Sequence, residues 1–290
     1  LEGDYSLYAQ LIDMIIYNRS IPITWAAANE RNYGTCGITY NTLSPTATGK
    51  NPIIVGATNS NDNSMTGLSS WGPTDDNRTK PDIVAAGCQV GGDNGITSTI
   101  PNLFINNIGR NCAPGVPGPG PNTNGDDYCF PYDVMCGASM ATPAVAGSVA
   151  LMLQDFRNTH TYEPLPSTVK AILIHTAVDL NRNGNGQVTN DGPDYVNGWG
   201  LVNVTAAVNL IRNDTSANPR ILEESISIAG ESDADYFSIT IPPGSPELRA
   251  TLVWDDAPGV PNSALKDLEN DLDITVINST GGVYHPWVLD

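Results

Sequence analysis

The chain has 290 residues, of which 40% are hydrophobic and 15% charged, and its formal net charge is −18 at pH 7. This length allows one large domain or one large and one small domain. The 13 Lys and Arg residues are spread along the chain, which argues against a nucleic-acid-binding surface, since that needs clustered positive charge. The sequence has no run of about 18 apolar residues, so no membrane span is predicted.

The first part of the chain alternates between helical and strand patterns. Apolar residues at helical spacing predict a first helix close to Leu1, as in the interior of a domain. Short apolar runs that suit buried strands of a parallel sheet lie at residues 21–28, 51–58 and 79–87. Further helical patterns lie at residues 139–155, 167–178 and 202–213. This alternation predicts an α/β fold with helices layered on a sheet.

The pattern changes after Asn213. Strand-like segments follow, separated by turn residues and without helical periodicity between them: ILEESISI, DYFSITIP, ELRATLVWDD and LDITVIN. They predict an antiparallel β-sandwich, and because so few strands make a thin one, further strands are expected to belong to it. The sequence therefore predicts a domain at 1–213 and a second, incomplete one at 214–290, joined through NDTSANPR.

The five cysteines fit an oxidising compartment better than a zinc site. None forms a CxxC pair or lies near a histidine. We predict a disulfide between Cys112 and Cys129, because they bracket a Pro/Gly-rich insertion, although fifteen arrangements of two disulfides are open. Asn-X-Ser/Thr sequons also suit a secreted protein, and they lie at Asn18, Asn77, Asn203, Asn213 and Asn278.

The segment GASMATPAVAG, residues 137–147, places a serine at a predicted helix start. We expect Pro143 to lie in the opening turn, where its missing N–H leaves no bond unmade. The free N–H groups and the helix dipole favour negative charge near Ser139, so a nucleophile would suit this position. A plain N-cap serine is the alternative interpretation.

This segment resembles the nucleophile motif GTSMATPHVAG of the subtilisin-like serine proteases, with departures at Ala138 and Ala144. Three further stretches resemble the same family in the same order: AAANE, LSSWGPTDDNRTKPDIVAAG and GPDYVNGWGLVN. The resemblance implies a subtilisin-like parallel sheet with helices on both faces, of which residues 1–213 would form the later two-thirds. ATLVWDDAPG and NDLDITV resemble the C-terminal β-barrel of the large bacterial members, which implies a jelly-roll-like sandwich at 214–290.

The resemblance also implies hydrolysis of peptide bonds in a polypeptide substrate. Ser139 would be the nucleophile, and the side-chain amide of Asn29 would stabilise the oxyanion. Trp25, Ala26, Ala27 and Ala28 would form one wall of the substrate pocket, although a purely structural role is an equal alternative. The family usually has glycine where this chain has Ala28, and the extra methyl group is expected to narrow the cleft.

The base that this chemistry requires is not apparent in the chain. In the family the order is Asp, His, Ser, but His160, His175 and His285 all follow Ser139, and no HGTxVAG segment is present. We expect the histidine and its orienting aspartate to lie on a preceding segment outside these 290 residues, so that the chain alone is inactive. A non-catalytic relative and an acyl-transfer relative are the alternatives.

The resemblance to large subtilases further implies structural calcium in the β-region, and no cofactor for catalysis. Asp256, Asp271 and Asp273 lie at strand ends and turns, and carboxylates are suitable calcium ligands. Solvated turn carboxylates are the alternative. The β-region could also be a carbohydrate or protein adhesion module, although its aromatic residues do not form an evident platform.

Overall fold

The fold is described from a computed structural model of the chain. The structure describes residues 3–31, 40–91, 95–99, 132–180, 192–226, 234–263 and 266–287. The predicted Cys112–Cys129 pair lies outside these residues. Within them, no helix has the length and apolar character needed to cross a bilayer.

A parallel three-stranded sheet forms the centre of the molecule. Its strands are β1 (Thr24–Ala26), β2 (Ile53–Asn59) and β3 (Ile83–Cys88), in the order β1-β2-β3. The register pairs Thr24 with Ile53 and Val55 with Ile83. All seven residues of β2 are buried, as expected for a central parallel strand covered on both faces. The sequence prediction is confirmed for all three strands.

One face of the sheet is covered by a long helix, α2 (Ala138–Thr159). Every second residue of β2 and β3 faces this helix. Val55 of β2 and Ile83 of β3, for example, share a hydrophobic core with Val145 and Met152 of α2. This follows from the two-residue period of strand side chains and the helical spacing of the apolar positions. The described part of the chain also contains the helices α1 (Leu7–Arg19), α3 (Pro166–Thr176) and α4 (Val204–Asn213).

The opposite face of the sheet is packed by loop residues in the described part of the chain. Ile54 contacts Leu43 and Ala47, while Val84 packs with Trp71 and Val196. The expectation of helices on both faces is therefore met on one face by α2, whereas loops fill these two clusters on the other.

Buried charged side chains connect the start of β3 to α3. Asp82 bonds Lys80 at 2.8 Å and Lys170 at 2.9 Å, and its carboxylate also accepts the N–H of Ile54 at 2.7 Å. Burial lowers the pKa of Lys80. A buried carboxylate is tolerated here because two ammonium groups and a backbone donor compensate for lost water.

The start of α2 is held against the end of β3. The N–H of Gly137 donates to the C=O of Gly87 at 2.9 Å, and a disulfide joins Cys88 to Cys136. A Cβ atom at Gly87 would lie 2.5 Å from the Gly137 oxygen and 2.8 Å from the Ala57 Cβ, so only glycine fits. These contacts place the first turn of α2 at the carboxyl end of the sheet.

The second predicted domain is only partly described. Between residues 214 and 287, the described strands are β6 (Val276–Ile277) and β7 (Val283–Tyr284), which pair antiparallel. Earlier in the chain, β4 (Ile96–Thr99) and β5 (Tyr132–Met135) form a separate antiparallel pair. The β-sandwich stays a prediction. Residues 255–259 hydrogen-bond to the first part of the chain.

We expect Gly87→Ala to destabilise the protein by about 1–3 kcal/mol, the usual cost of overpacking a close contact. The matched control is Gly147→Ala on the exposed side of α2, where a Cβ would meet nothing within 4 Å. Gly147→Ala should leave the stability of the protein unchanged or raise it by about 0.5–1 kcal/mol, because alanine is more favourable than glycine inside a helix. Urea unfolding of both variants measures this, and equal effects would contradict the close packing at Gly87.

A second prediction concerns Asp267, whose side chain is 6% exposed. Burial, and next the negative charge of Asp76, raise the pKa of Asp267 to about 6. The positive charges of Arg78 and Lys50 oppose this shift, and the negative charge of Asp4 adds to it. Because this pKa exceeds the unfolded value of 3.8, the folded state binds more protons between these values. The stability contributed by Asp267 is therefore present below pH 4 and is lost as the pH rises through 6.

We expect Asp267→Asn to abolish this loss, since an amide stays neutral at every pH. The free energy of unfolding of the variant, relative to the wild type, should rise between pH 4 and pH 7. Urea titrations at pH 4, 5, 6 and 7 would measure it, and parallel pH profiles would contradict the raised pKa.

Candidate active site

Ser139 is the second residue of α2, and its side chain is exposed. The N-cap of the helix is Gly137, which has no side chain of its own to bond to the first turn. The interpretation of Ser139 as an N-cap is therefore wrong. Pro143 lies one turn further into the helix than expected, and because it has no N–H it cannot bond the C=O of Ser139.

Asn29 lies directly beside this helix start. It follows β1, and its side-chain Oδ1 accepts the N–H of Ala138 at 2.9 Å. A Cβ atom at Gly137 would lie 3.0 Å from the Asn29 Nδ2. Since a backbone N–H can bond only to the oxygen of the amide, this contact also fixes which end of the side chain donates. The structure thus brings together Asn29 and Ala138, which are 109 positions apart.

The turn that carries Asn29 is strained. Ala28 has φ = 92°, in the left-handed region where a Cβ atom costs roughly 1–2 kcal/mol. An alanine therefore occupies a backbone conformation that favours glycine. This conformation directs the chain away from β1 so that Asn29 faces α2.

A serine pair from the LSSWG stretch supports this turn, and sequence analysis did not single it out. Ser70 donates its N–H to the C=O of Ala28, and its Oγ accepts the N–H of Glu30, both at 3.0 Å. Ser69 Oγ accepts the N–H of Ala57 in β2 at 2.9 Å. The only signal in the sequence was the family resemblance of the stretch, which does not say what the serines bond.

The predicted wall of the substrate pocket divides into buried and exposed residues. Ala27 is fully buried in the cluster with Leu43, so its side chain belongs to the core. Ala26 is half-buried against the main core. Trp25 is exposed, and its indole N–H donates to Thr46 Oγ1 at 3.2 Å. Trp25 is therefore the exposed member of the predicted wall, whereas Ala28 is half-buried.

The two histidines on the helical side of the chain have partners of their own. His160 Nε2 lies 3.0 Å from Asp214, and its Nδ1 lies 2.8 Å from Thr159 Oγ1. His175 Nδ1 lies 3.0 Å from Thr251 Oγ1, and burial lowers its pKa. His285 is exposed. Within the described residues, no histidine hydrogen-bonds to Ser139 or Asn29.

The three aspartates predicted to bind calcium lie in different environments. Asp256 is buried, and its carboxylate pairs with Lys50 at 2.6 Å while accepting the N–H groups of Glu269 and Asn270. Asp271 is exposed and pairs with Lys266 at 2.9 Å, and Asp273 is exposed.

These pairings account for Asp256 without a metal, because Lys50 neutralises its charge. In the described parts of the chain, no three His, Cys, Asp or Glu side chains are grouped in a way that could hold a metal ion. The calcium site stays a prediction.

Comparison with known proteins identifies relatives of the chain. It is 27% identical over 261 residues to the protein named "Serine protease/ABC transporter B family protein tagD" from Dictyostelium discoideum, covering 76% of this chain and 13% of that protein. It is 28% identical over 181 residues to "Serine protease AprX" from Bacillus subtilis, covering 60% of this chain and 34% of AprX. The chain thus spans well under half the length of either relative.

A solved structure described as a lanthipeptide protease aligns with a TM-score of 0.49 at 18% identity, covering 70% of this chain and 54% of that one. The profile of the family described as the Subtilase family matches residues 2–200. Because this match covers more than half of the chain and includes both Asn29 and Ser139, the chain belongs to the Subtilase family.

Proposed function

We propose that the chain carries the nucleophile and the oxyanion site of a serine endopeptidase acting on polypeptides. Ser139 Oγ attacks the scissile carbonyl while a base takes its proton, the peptide C–N bond breaks, and the amine leaves with that proton to give an acyl-enzyme. Water then hydrolyses the acyl-enzyme and restores the hydroxyl. The observation that carries this proposal is the hydrogen bond from Ala138 to Asn29, because it places an amide donor beside the helix start that bears the hydroxyl.

Charge stabilisation follows from the same arrangement. The tetrahedral oxygen that forms during the attack carries a negative charge, and two donors are available for it. Ser139 lies in the first turn of α2, where backbone N–H groups lack an intrahelical acceptor. The Nδ2 group of Asn29 is the second donor, since its Oδ1 is already engaged. The positive end of the helix dipole adds to this stabilisation.

The general base comes, in this proposal, from a segment outside these 290 residues. A serine hydroxyl needs a base to remove its proton, and His160 and His175 hydrogen-bond to other residues. An exposed stripe of small residues continues from Ser139 along α2, and it consists of Pro143, Ala146, Gly147 and Ala150. Small residues let a second helix approach closely, so a segment packed there could present a base to Ser139.

Helix α1 supports the same interpretation independently. Its buried face contains Ala9, Ile12 and Ile16. A second apolar face points to solvent and consists of Leu7, Leu11, Met14 and Ile15. Exposed apolar stripes of this kind mark contact surfaces.

We further propose that the protein works outside the cytoplasm. The Cys88–Cys136 disulfide supports this, because such bonds persist in oxidising compartments.

Active-site labelling tests the proposal. We expect a fluorophosphonate to label Ser139 in the full-length protein and to label the 290-residue chain at least about 100-fold more slowly, since general-base catalysis contributes 10²–10⁴-fold. Ser139→Ala is the control and should abolish labelling in both. Rapid stoichiometric labelling of the short chain would show that its base lies within it, and no labelling of the full-length protein would favour a non-catalytic relative.

A further inference from the structure

Ser70 holds both peptide groups that orient Asn29. Its N–H donates to the C=O of Ala28 at 3.0 Å, and this C=O belongs to the peptide that precedes Asn29. Its Oγ accepts the N–H of Glu30 at 3.0 Å, and this N–H belongs to the peptide that follows Asn29. One buried residue therefore restrains the backbone on each side of the asparagine.

This restraint matters because the turn does not hold its shape by itself. Ala28 is in the left-handed region, and such a conformation persists only where the surroundings over-determine it. If the bonds to Ser70 were lost, Ala28 could relax toward negative φ, and the side chain of Asn29 would then rotate relative to Ala138.

Ser70 is itself fixed by its neighbours. Ser69 Oγ accepts the N–H of Ala57, which lies in the central strand β2. Trp71 donates its N–H to Thr42 Oγ1 at 2.9 Å and accepts the N–H of Thr42 at 2.9 Å. The support of Asn29 thus extends through Ser70 to the core of the sheet.

We propose that Ser70 is a positioning residue for the oxyanion amide of Asn29. This inference rests on the proposed function, because it assumes that Asn29 Nδ2 donates to the oxyanion. The oxyanion exists only in the transition state and the tetrahedral intermediate, so a misplaced donor lowers kcat and leaves ground-state binding of the peptide almost unchanged.

The test is a double-mutant cycle in the full-length protein with a chromogenic peptide substrate. We expect Asn29→Ala to lower kcat by roughly 10²–10³-fold, a figure measured for the oxyanion asparagine of subtilisin. Ser70→Ala should lower kcat about tenfold with KM changed less than about twofold, within the range known for a displaced catalytic group. The double variant Asn29→Ala/Ser70→Ala should have the same kcat as Asn29→Ala alone, because Ser70 acts only by positioning the Asn29 side chain.

Thr74→Ala is the matched control. Thr74 is as buried as Ser70, and its Oγ1 accepts the N–H of Arg78 at 2.9 Å, which does not belong to the turn of Asn29. Its melting temperature should fall, as that of Ser70→Ala should, because each variant loses a buried hydroxyl that accepts a backbone N–H, while its kcat should stay unchanged. Hydrogen exchange in the 290-residue chain adds a readout without catalysis: Ser70→Ala should accelerate exchange at Ala138 N–H, and Thr74→Ala should not.

The outcomes separate the two proposals. If Asn29→Ala lowers kcat but Ser70→Ala does not, or if the two losses multiply in the double variant, Ser70 has no positioning role and the proposed function stands. If Asn29→Ala leaves kcat unchanged, the oxyanion role of Asn29 is refuted and the catalytic role of Ser70 with it.

Discussion

A single hydrogen bond, from the N–H of Ala138 to the side-chain oxygen of Asn29, defines the site. It satisfies one of the N–H groups that every helix leaves free in its first turn. It also joins the loop after β1 to the helix that covers the sheet, so that an amide donor lies beside the helix start that bears the Ser139 hydroxyl. In the proposed mechanism the side-chain oxygen of Asn29 accepts the helix N–H, and its side-chain nitrogen donates to the oxyanion.

That bond can form only because the two elements it joins are placed independently. The start of α2 is fixed by the Gly87–Gly137 contact and by the disulfide next to it. The turn at Asn29 is fixed by Ser70. Each support leads back to the parallel sheet, whose strands are anchored by buried side chains and by the charges around Asp82. The rigidity of the site therefore derives from the sheet and not from the loops that bear its residues.

Sequence analysis predicted the three parallel strands and the helices, because apolar periodicity carries that information. The family resemblance also named Asn29 and Ser139 together, and the structure places Asn29 against Ala138, next to Ser139. It could not predict the support from Ser70, since hydrogen-bond partners 40 residues apart leave no local pattern. The pairing of Cys88 with Cys136 was equally hidden among fifteen arrangements, and it depends on how closely β3 approaches α2.

Asp256 shows a second limit of sequence analysis. The resemblance to the large subtilases implied calcium at its carboxylate, and that site stays a prediction. The structure adds a partner that no local pattern reveals, because Lys50, which lies 206 residues away, pairs with this carboxylate. A motif indicates which groups are present, whereas the partner that decides their charge state comes from the tertiary structure.

In the proposed enzyme, the exposed faces of α1 and α2 would bind the segment that supplies the general base. Each face leaves apolar or small side chains in water, which favours covering them. The stripe on α2 begins at Ser139, so whatever covers it must come close to the nucleophile. A segment that gained its binding energy from this stripe would bring its side chains to the hydroxyl at no further entropic cost, since packing already fixes it. Docking and completion of the catalytic residues would then be the same event, and a chain without its partner segment would keep the oxyanion site but lack proton transfer.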